Sequence, residues 1–189
     1  MFSKYTCKQP DTGNVNQCGG YALAALIHAS RTPPCDNQPN GSDIYNQVIA
    51  FQNDCDIPLF SPKNQKGARS LPSSLIKTAK ENGFTRYKLT VTKAYGQKHP
   101  ELITSEKGRL NKEVEITKEV EITEDSEKTL DQLLKKDGYY LVLVNDGNHW
   151  IAMGKRGESV YLYDPGGAGD VDEAGKPTIN FSGVIIRLN

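Results

Sequence analysis

The run Cys18-Gly19-Gly20-Tyr21-Ala22-Leu23-Ala24-Ala25-Leu26-Ile27-His28-Ala29 is rich in strong helix formers and apolar on nearly every side. A helix with no polar face cannot lie on a surface. It has to be surrounded, so the remaining chain must build a shell around it. Thr32-Pro33-Pro34 stops the helix. A length of 189 residues supplies one domain with a substantial core, and 1–189 is read as a single domain.

The shell can be followed along the chain. Residues 1–17 form an irregular lead-in, with turn formers clustered at Lys8-Gln9-Pro10-Asp11-Thr12-Gly13-Asn14. Ser42 is the expected cap of a second helix through Ile44, Val48, Ile49 and Phe51. Proline at Pro72 opens a third helix, which Asn82-Gly83 ends, and Phe84 to Val91 then alternates as a strand. Asp125 or Ser126 is expected to cap a short helix through Leu130, Leu133 and Leu134, ended by Gly138. Strands follow at Tyr139–Asn145, His149–Gly154, Val160–Tyr163 and Gly183–Leu188. The first two are joined by Asp146-Gly147, a hairpin signal, with Asn148 as a candidate extra loop residue. Helices first and an antiparallel sheet afterwards make the fold class α+β.

Residues 93–125 stand apart as an insertion or β-hairpin extension. There Lys112-Glu113-Val114-Glu115-Ile116-Thr117 is repeated at once as Lys118-Glu119-Val120-Glu121-Ile122-Thr123. Each copy alternates charged and β-branched residues, the pattern of a half-exposed strand.

Charge and cysteine usage exclude several functions. The 23 basic and 23 acidic residues balance, so the excess of positive charge a nucleic-acid binder uses against phosphates is missing. The start has no apolar core of signal-peptide length, and no stretch is apolar enough to span a bilayer. A soluble protein is expected, cytoplasmic or exported without a cleaved leader. Cys7, Cys18, Cys35 and Cys55 contain no CxxC pair, and with three histidines there is no zinc-ligand spacing, so neither metal nor cofactor is expected. If one disulfide forms, Cys35 and Cys55 are the expected pair. Asp170-Val171-Asp172-Glu173 falls short of a calcium loop and reads as a solvated acidic turn.

A thiol hydrolase needs a thiolate, a base and a group that orients the base. Cys18 opens the apolar helix, where backbone dipoles and unpaired N–H groups favour a thiolate, and two glycines beside it leave room for a substrate backbone. Its own N–H can help hold an oxyanion. His149 begins a strand, with Trp150 next to it as core or shield. Asp164 ends the following strand, and pairing of the two strands brings His149 and Asp164 to the same end. His28 within the helix and His99 in a Lys-His-Pro loop read as structural or solvated. Asp146, three residues before His149, reads as a loop-shaping acid.

Asn16-Gln17-Cys18-Gly19-Gly20-Tyr21-Ala22 resembles the nucleophile motif of papain-like cysteine peptidases, in particular the bacterial C39-like branch and related effector proteases and deamidases. Asn148-His149-Trp150-Ile151-Ala152-Met153-Gly154, followed by Val160-Tyr161-Leu162-Tyr163-Asp164-Pro165-Gly166, is similar to their histidine strand and Asp-Pro turn. The Pro72 to Leu89 stretch resembles their helix-Gly-strand connection. The resemblance covers about a quarter of the chain and implies a papain-like fold, with the nucleophile helix packed on an antiparallel sheet and a catalytic triad of Cys18, His149 and Asp164. Such peptidases carry a glutamine several residues before the cysteine to complete the oxyanion hole. Here Thr12 stands six residues upstream, which leaves Asn14, Asn16 and Gln9 as oxyanion candidates.

The expected function is therefore amide hydrolysis on a protein or peptide substrate by a cysteine peptidase. A glutamine deamidase or transglutaminase of toxin or effector type, or a peptidoglycan amidase, uses the same thioester chemistry. A non-catalytic binding module is the reading from another class. Loops 31–42, 56–70 and 92–112 are expected to shape specificity.

Overall fold

Helix α1 (Cys18–Ser30) lies at the centre that its sequence demands, buried from Cys18 through His28. In this computed structural model, residues 1–10, 16–31, 37–113, 129–167 and 179–189 are described. Around α1 come α2 (Gly41–Ala50), α3 (Pro72–Glu81), β1 (Tyr87–Val91), α4 (Lys93–Lys98), α5 (Pro100–Glu113) and α6 (Leu130–Leu133). Strands β2 (Gly138–Val144), β3 (His149–Arg156), β4 (Ser159–Tyr163) and β5 (Phe181–Leu188) then complete the order. The fold is α+β. Five antiparallel strands form one sheet in the order β1-β5-β2-β3-β4.

Both faces of that sheet are covered. Leu141, Leu143, Trp150, Ala152 and Ile186 join the main core with α1, while Tyr140, Val142, Ile151, Met153 and Ile185 form a second cluster with Leu134. Close packing of α1 on α2 uses glycine. A Cβ on Gly20 would stand 2.5 Å from Tyr45 Cβ and 2.6 Å from the Tyr45 backbone. One on Gly41 would stand 2.3 Å from the Tyr21 ring.

Several expectations about caps and loops are corrected. The cap of α2 is Asn40, whose side chain accepts from the Ser42 N–H at 2.8 Å, two residues before the expected Ser42. The cap of α6 is Thr129, whose N–H donates to the Gln132 side chain at 3.0 Å, in place of Asp125 or Ser126. Those two residues lie outside the described residues, as do 114–123 of the repeat and the 170–173 acidic turn. Residues 93–98 and 100–113 are helical, so Lys112 and Glu113 close α5 instead of opening a strand. Thr92 caps α4 and Pro100 starts α5, two local signals that outweigh the repeat. Cys55 is a buried free thiol packed in the apolar core, which corrects the disulfide expected with Cys35, itself outside the described residues.

The β2–β3 connection is lengthened to four residues, since Val144 pairs with His149. Asn145 (φ 55°), Asp146 (φ 56°) and Gly147 (φ 83°) all take left-handed conformations in it. Among the described residues, no helix is long and apolar enough to cross a membrane.

Candidate active site

Three elements converge at one end of the sheet. Cys18 is the first residue of α1, and Gln17 before it supplies no side-chain cap. The first N–H groups of a helix have no partner within it, so the positive end of α1 is directed at the Cys18 neighbourhood. The thiol is nearly buried, and the backbone N–H of Trp150 donates to its Sγ at 3.4 Å. This contact anchors Cys18 to β3 beside His149.

The last register pair of β3 and β4 is Ala152 with Tyr163, so Asp164 continues opposite Ile151 and stands diagonal to His149 on the same face. The imidazole Nε2 meets Asp164 Oδ1 at 2.6 Å. That bond occupies one side of the ring, and the Cys18 thiol interacts with the imidazole as well. Burial disfavours the imidazolium. The bonds to Asp164 and Cys18 and the negative charge of both outweigh it, and the His149 pKa is pushed up to about 10. The same bond to His149 holds the Asp164 carboxyl below its ordinary range, against the opposing effect of burial. Gly166 N–H adds to this by donating to Asp164 Oδ1 at 2.9 Å. The carboxylate is thus fixed from both sides, and it in turn fixes the ring.

The other sequence candidates are distributed around this centre. Asn16 donates its amide to the Gly67 carbonyl at 2.8 Å and so ties the lead-in of α1 to the loop before α3. Gln9 donates its backbone N–H to the Pro165 carbonyl at 3.2 Å, which places it against the turn that follows Asp164. Asn14 and Thr12 lie outside the described residues. His28 is buried in α1 against the Tyr5 ring, and His99 stacks on Tyr95 at 4.5 Å, with burial lowering its pKa. Asp146 is an exposed loop residue. Trp150 is core, and its indole N–H donates to the Ser70 carbonyl at 3.1 Å. Among the described residues no group of three histidine, cysteine or acidic side chains could hold a metal ion.

Beside Cys18 opens a small cleft, walled by Phe60, Tyr95, Leu102, Leu143 and Trp150, with Arg69 on its edge. The loop that carries Arg69 is fixed by Gln52, which is fully buried. Its amide nitrogen donates to the Phe60 and Arg69 carbonyls at 2.8 and 2.9 Å, and its oxygen accepts from the Leu71 N–H at 2.8 Å. Tyr45 donates to the Ala68 carbonyl at 2.8 Å. Loop 56–70 therefore reaches the site as expected, whereas the 92–112 stretch contributes Tyr95 and Leu102 from helices. The individual residues Arg69 and Tyr95 carry no sequence signal, because their place in the site depends on how distant elements pack.

Cys18, His149 and Asp164 are thus contiguous, and a small cleft opens beside Cys18. Compared with known proteins, the sequence and structure match no family model, no curated protein and no solved structure.

Proposed function

We propose that this chain is a papain-like thiol hydrolase that cleaves an amide bond of a protein or peptide, with Cys18 as nucleophile, His149 as acid and base, and Asp164 as the group that orients His149. The observation that carries the reading is one imidazole that meets a carboxylate at 2.6 Å and also interacts with a thiol at a helix start. A buried structural histidine has no need of two such partners drawn from α1 and the end of β4.

The chemistry follows from these positions. Proton transfer from Cys18 Sγ to the imidazole gives a thiolate and an imidazolium, a pair that the helix end and the Asp164 charge both favour. The thiolate attacks the amide carbon, and the oxygen takes up the negative charge near the Cys18 N–H. His149 passes its proton to the nitrogen, the C–N bond breaks, and the amine leaves a thioester on Cys18. Water then gives a proton to His149 and its oxygen to the carbonyl carbon. The C–S bond breaks, the acid is released, and the sulfur recovers the proton.

Thiol labelling is the first test. Native protein and His149→Ala are treated with substoichiometric iodoacetamide between about pH 5 and about pH 8, and modified cysteines are mapped by mass. Cys18 is expected to react alone at the acid end and to lose that reactivity in the variant. A Cys18 no more reactive than the half-buried Cys7 sinks the catalytic reading and leaves a binding domain. Once reactivity is established, new N-termini in a protein substrate identify a peptidase, and ammonia release without cleavage identifies a deamidase.

A further inference from the structure

The wall of the cleft beside Cys18 holds three polar groups with no acceptor from the protein. Arg69 Nε and Ser70 Oγ are buried without a hydrogen-bond partner. The Tyr95 hydroxyl makes no hydrogen bond among the described residues, and it lies near Gly147, where a Cβ would stand 3.4 Å from it. All three residues line the same cleft as Cys18. A guanidinium has five donors, and the side-chain bond Arg69 makes is a long one, from Nη1 to the Gly147 carbonyl at 3.5 Å. No carboxylate among the described residues pairs with it. The nearby acid Glu106 is committed to Ser73, with its oxygens 2.6 Å from the Ser73 nitrogen and 2.8 Å from the hydroxyl.

A buried or half-buried cation without an anion is costly unless something completes it. Here the backbone on each side of the guanidinium is fixed: the Arg69 N–H donates to Leu59 at 2.8 Å, and its carbonyl accepts from Gln52. The side chain is therefore presented from a rigid loop toward a cleft whose walls are mostly apolar. We propose that the mouth of this cleft is a substrate subsite that receives a carboxylate, and that Arg69, with the Tyr95 hydroxyl beside it, selects that carboxylate. The inference rests on the reading of Cys18 as the nucleophile. The carboxylate can belong to an acidic side chain or to the end of a peptide chain, since the guanidinium fork receives either in the same way.

Three nearly isosteric alkylating probes test it without knowledge of the natural substrate: iodoacetyl-glutamic acid α-amide, iodoacetyl-glutamine with a free α-carboxylate, and neutral iodoacetyl-glutamine amide. Rates of Cys18 alkylation are measured on the full chain, on Arg69→Gln and on Arg69→Lys. The native protein is expected to favour one or both acids over the neutral probe by about tenfold, the scale of a hydrogen bond to a charged group. Arg69→Gln should bring the acids back to the neutral rate, and Arg69→Lys should keep part of the preference. A circular-dichroism melt of each variant confirms that the protein is folded under the assay conditions, so a lost preference reports the subsite. Attraction of acids by the His149 imidazolium is common to all three proteins. The faster acid identifies the source of the carboxylate. A ratio unchanged in Arg69→Gln, or no preference in the native protein, overturns the subsite while leaving Cys18 reactivity intact. A Cys18 inert to all three probes overturns both readings.

Discussion

Replacing Asp164 by asparagine keeps an oxygen beside His149 Nε2 and removes its charge. With nitrogen and oxygen 2.6 Å apart, the charge centres are roughly 4 Å apart, which is worth about 4 kcal/mol at an effective dielectric constant of about 20. The Asp164 side chain is 45 % exposed, and solvent screening reduces the figure to about 2 kcal/mol. That corresponds to a drop of about 1.5 units in the imidazole pKa. Titration of ¹³C-labelled histidine by NMR reads this directly, with His149→Ala identifying the resonance against His28 and His99. The thiolate–imidazolium pair loses the same free energy, so iodoacetamide labelling of Cys18 at mildly acid pH should slow by about tenfold or more. An unchanged midpoint with unchanged labelling would falsify the assignment of Asp164 as the orienting acid and reduce it to a turn residue.

Other expectations concern stability. The His149 pKa is raised in the folded state, so protonation of His149 stabilises the fold fully below about pH 6.5, and this contribution disappears as the pH rises toward about 10. Over that window the stability of the native protein, read by urea melts, should fall toward that of His149→Ala, and parallel curves would refute it. Glu106 is an acid whose pKa burial raises to about 6, against the opposing effect of its bonds to Ser73. Its folded form holds a proton more tightly than its unfolded form, so stability falls by about 2 kcal/mol as the pH rises from about 4.5 to above 6. Glu106→Gln should flatten that fall in pH-dependent melts, and a fall of the same size in the variant would contradict the assignment. Gly20→Ala drives a methyl against the Tyr45 backbone and should destabilise by about 1–3 kcal/mol. Gly108→Ala, on α5 with nothing within 4 Å, should stabilise by about 0.5–1 kcal/mol. Chemical denaturation of the two variants decides, and equal effects would discredit the packing argument.

What was legible in the sequence was local. Pro72 and Gly83 bracket α3 because one fits a helix start and the other takes φ +102° beyond its end. Cys18, His149 and Asp164 stand out because each marks the start or end of an element, and strand pairing joins two of them. Helix α5 was hidden by its own packing. Its inward stripe runs Leu102, Glu106, Leu110, and the buried glutamate in the middle breaks the apolar pattern that betrays a helix. Arg69 and Tyr95 were hidden for a different reason. They share a cleft through Gln52, Tyr45 and the packing of α4, and contacts at such separations leave no periodic trace.

The left-handed loop of Asn145, Asp146 and Gly147 acts on β3 as a reading frame acts on a message. Most strands hold their frame by placing apolar residues on one face and polar residues on the other. Strand β3 cannot, since Trp150, Ile151, Ala152 and Met153 are buried on both faces. Loss or gain of one residue in the loop would leave a sheet almost as apolar as before, while Ile151 and Met153 exchanged places with Trp150 and Ala152 and His149 parted from Cys18 and Asp164. The length of this loop therefore sets the contacts of His149 with Asp164 and Cys18 more than it sets the stability of the sheet.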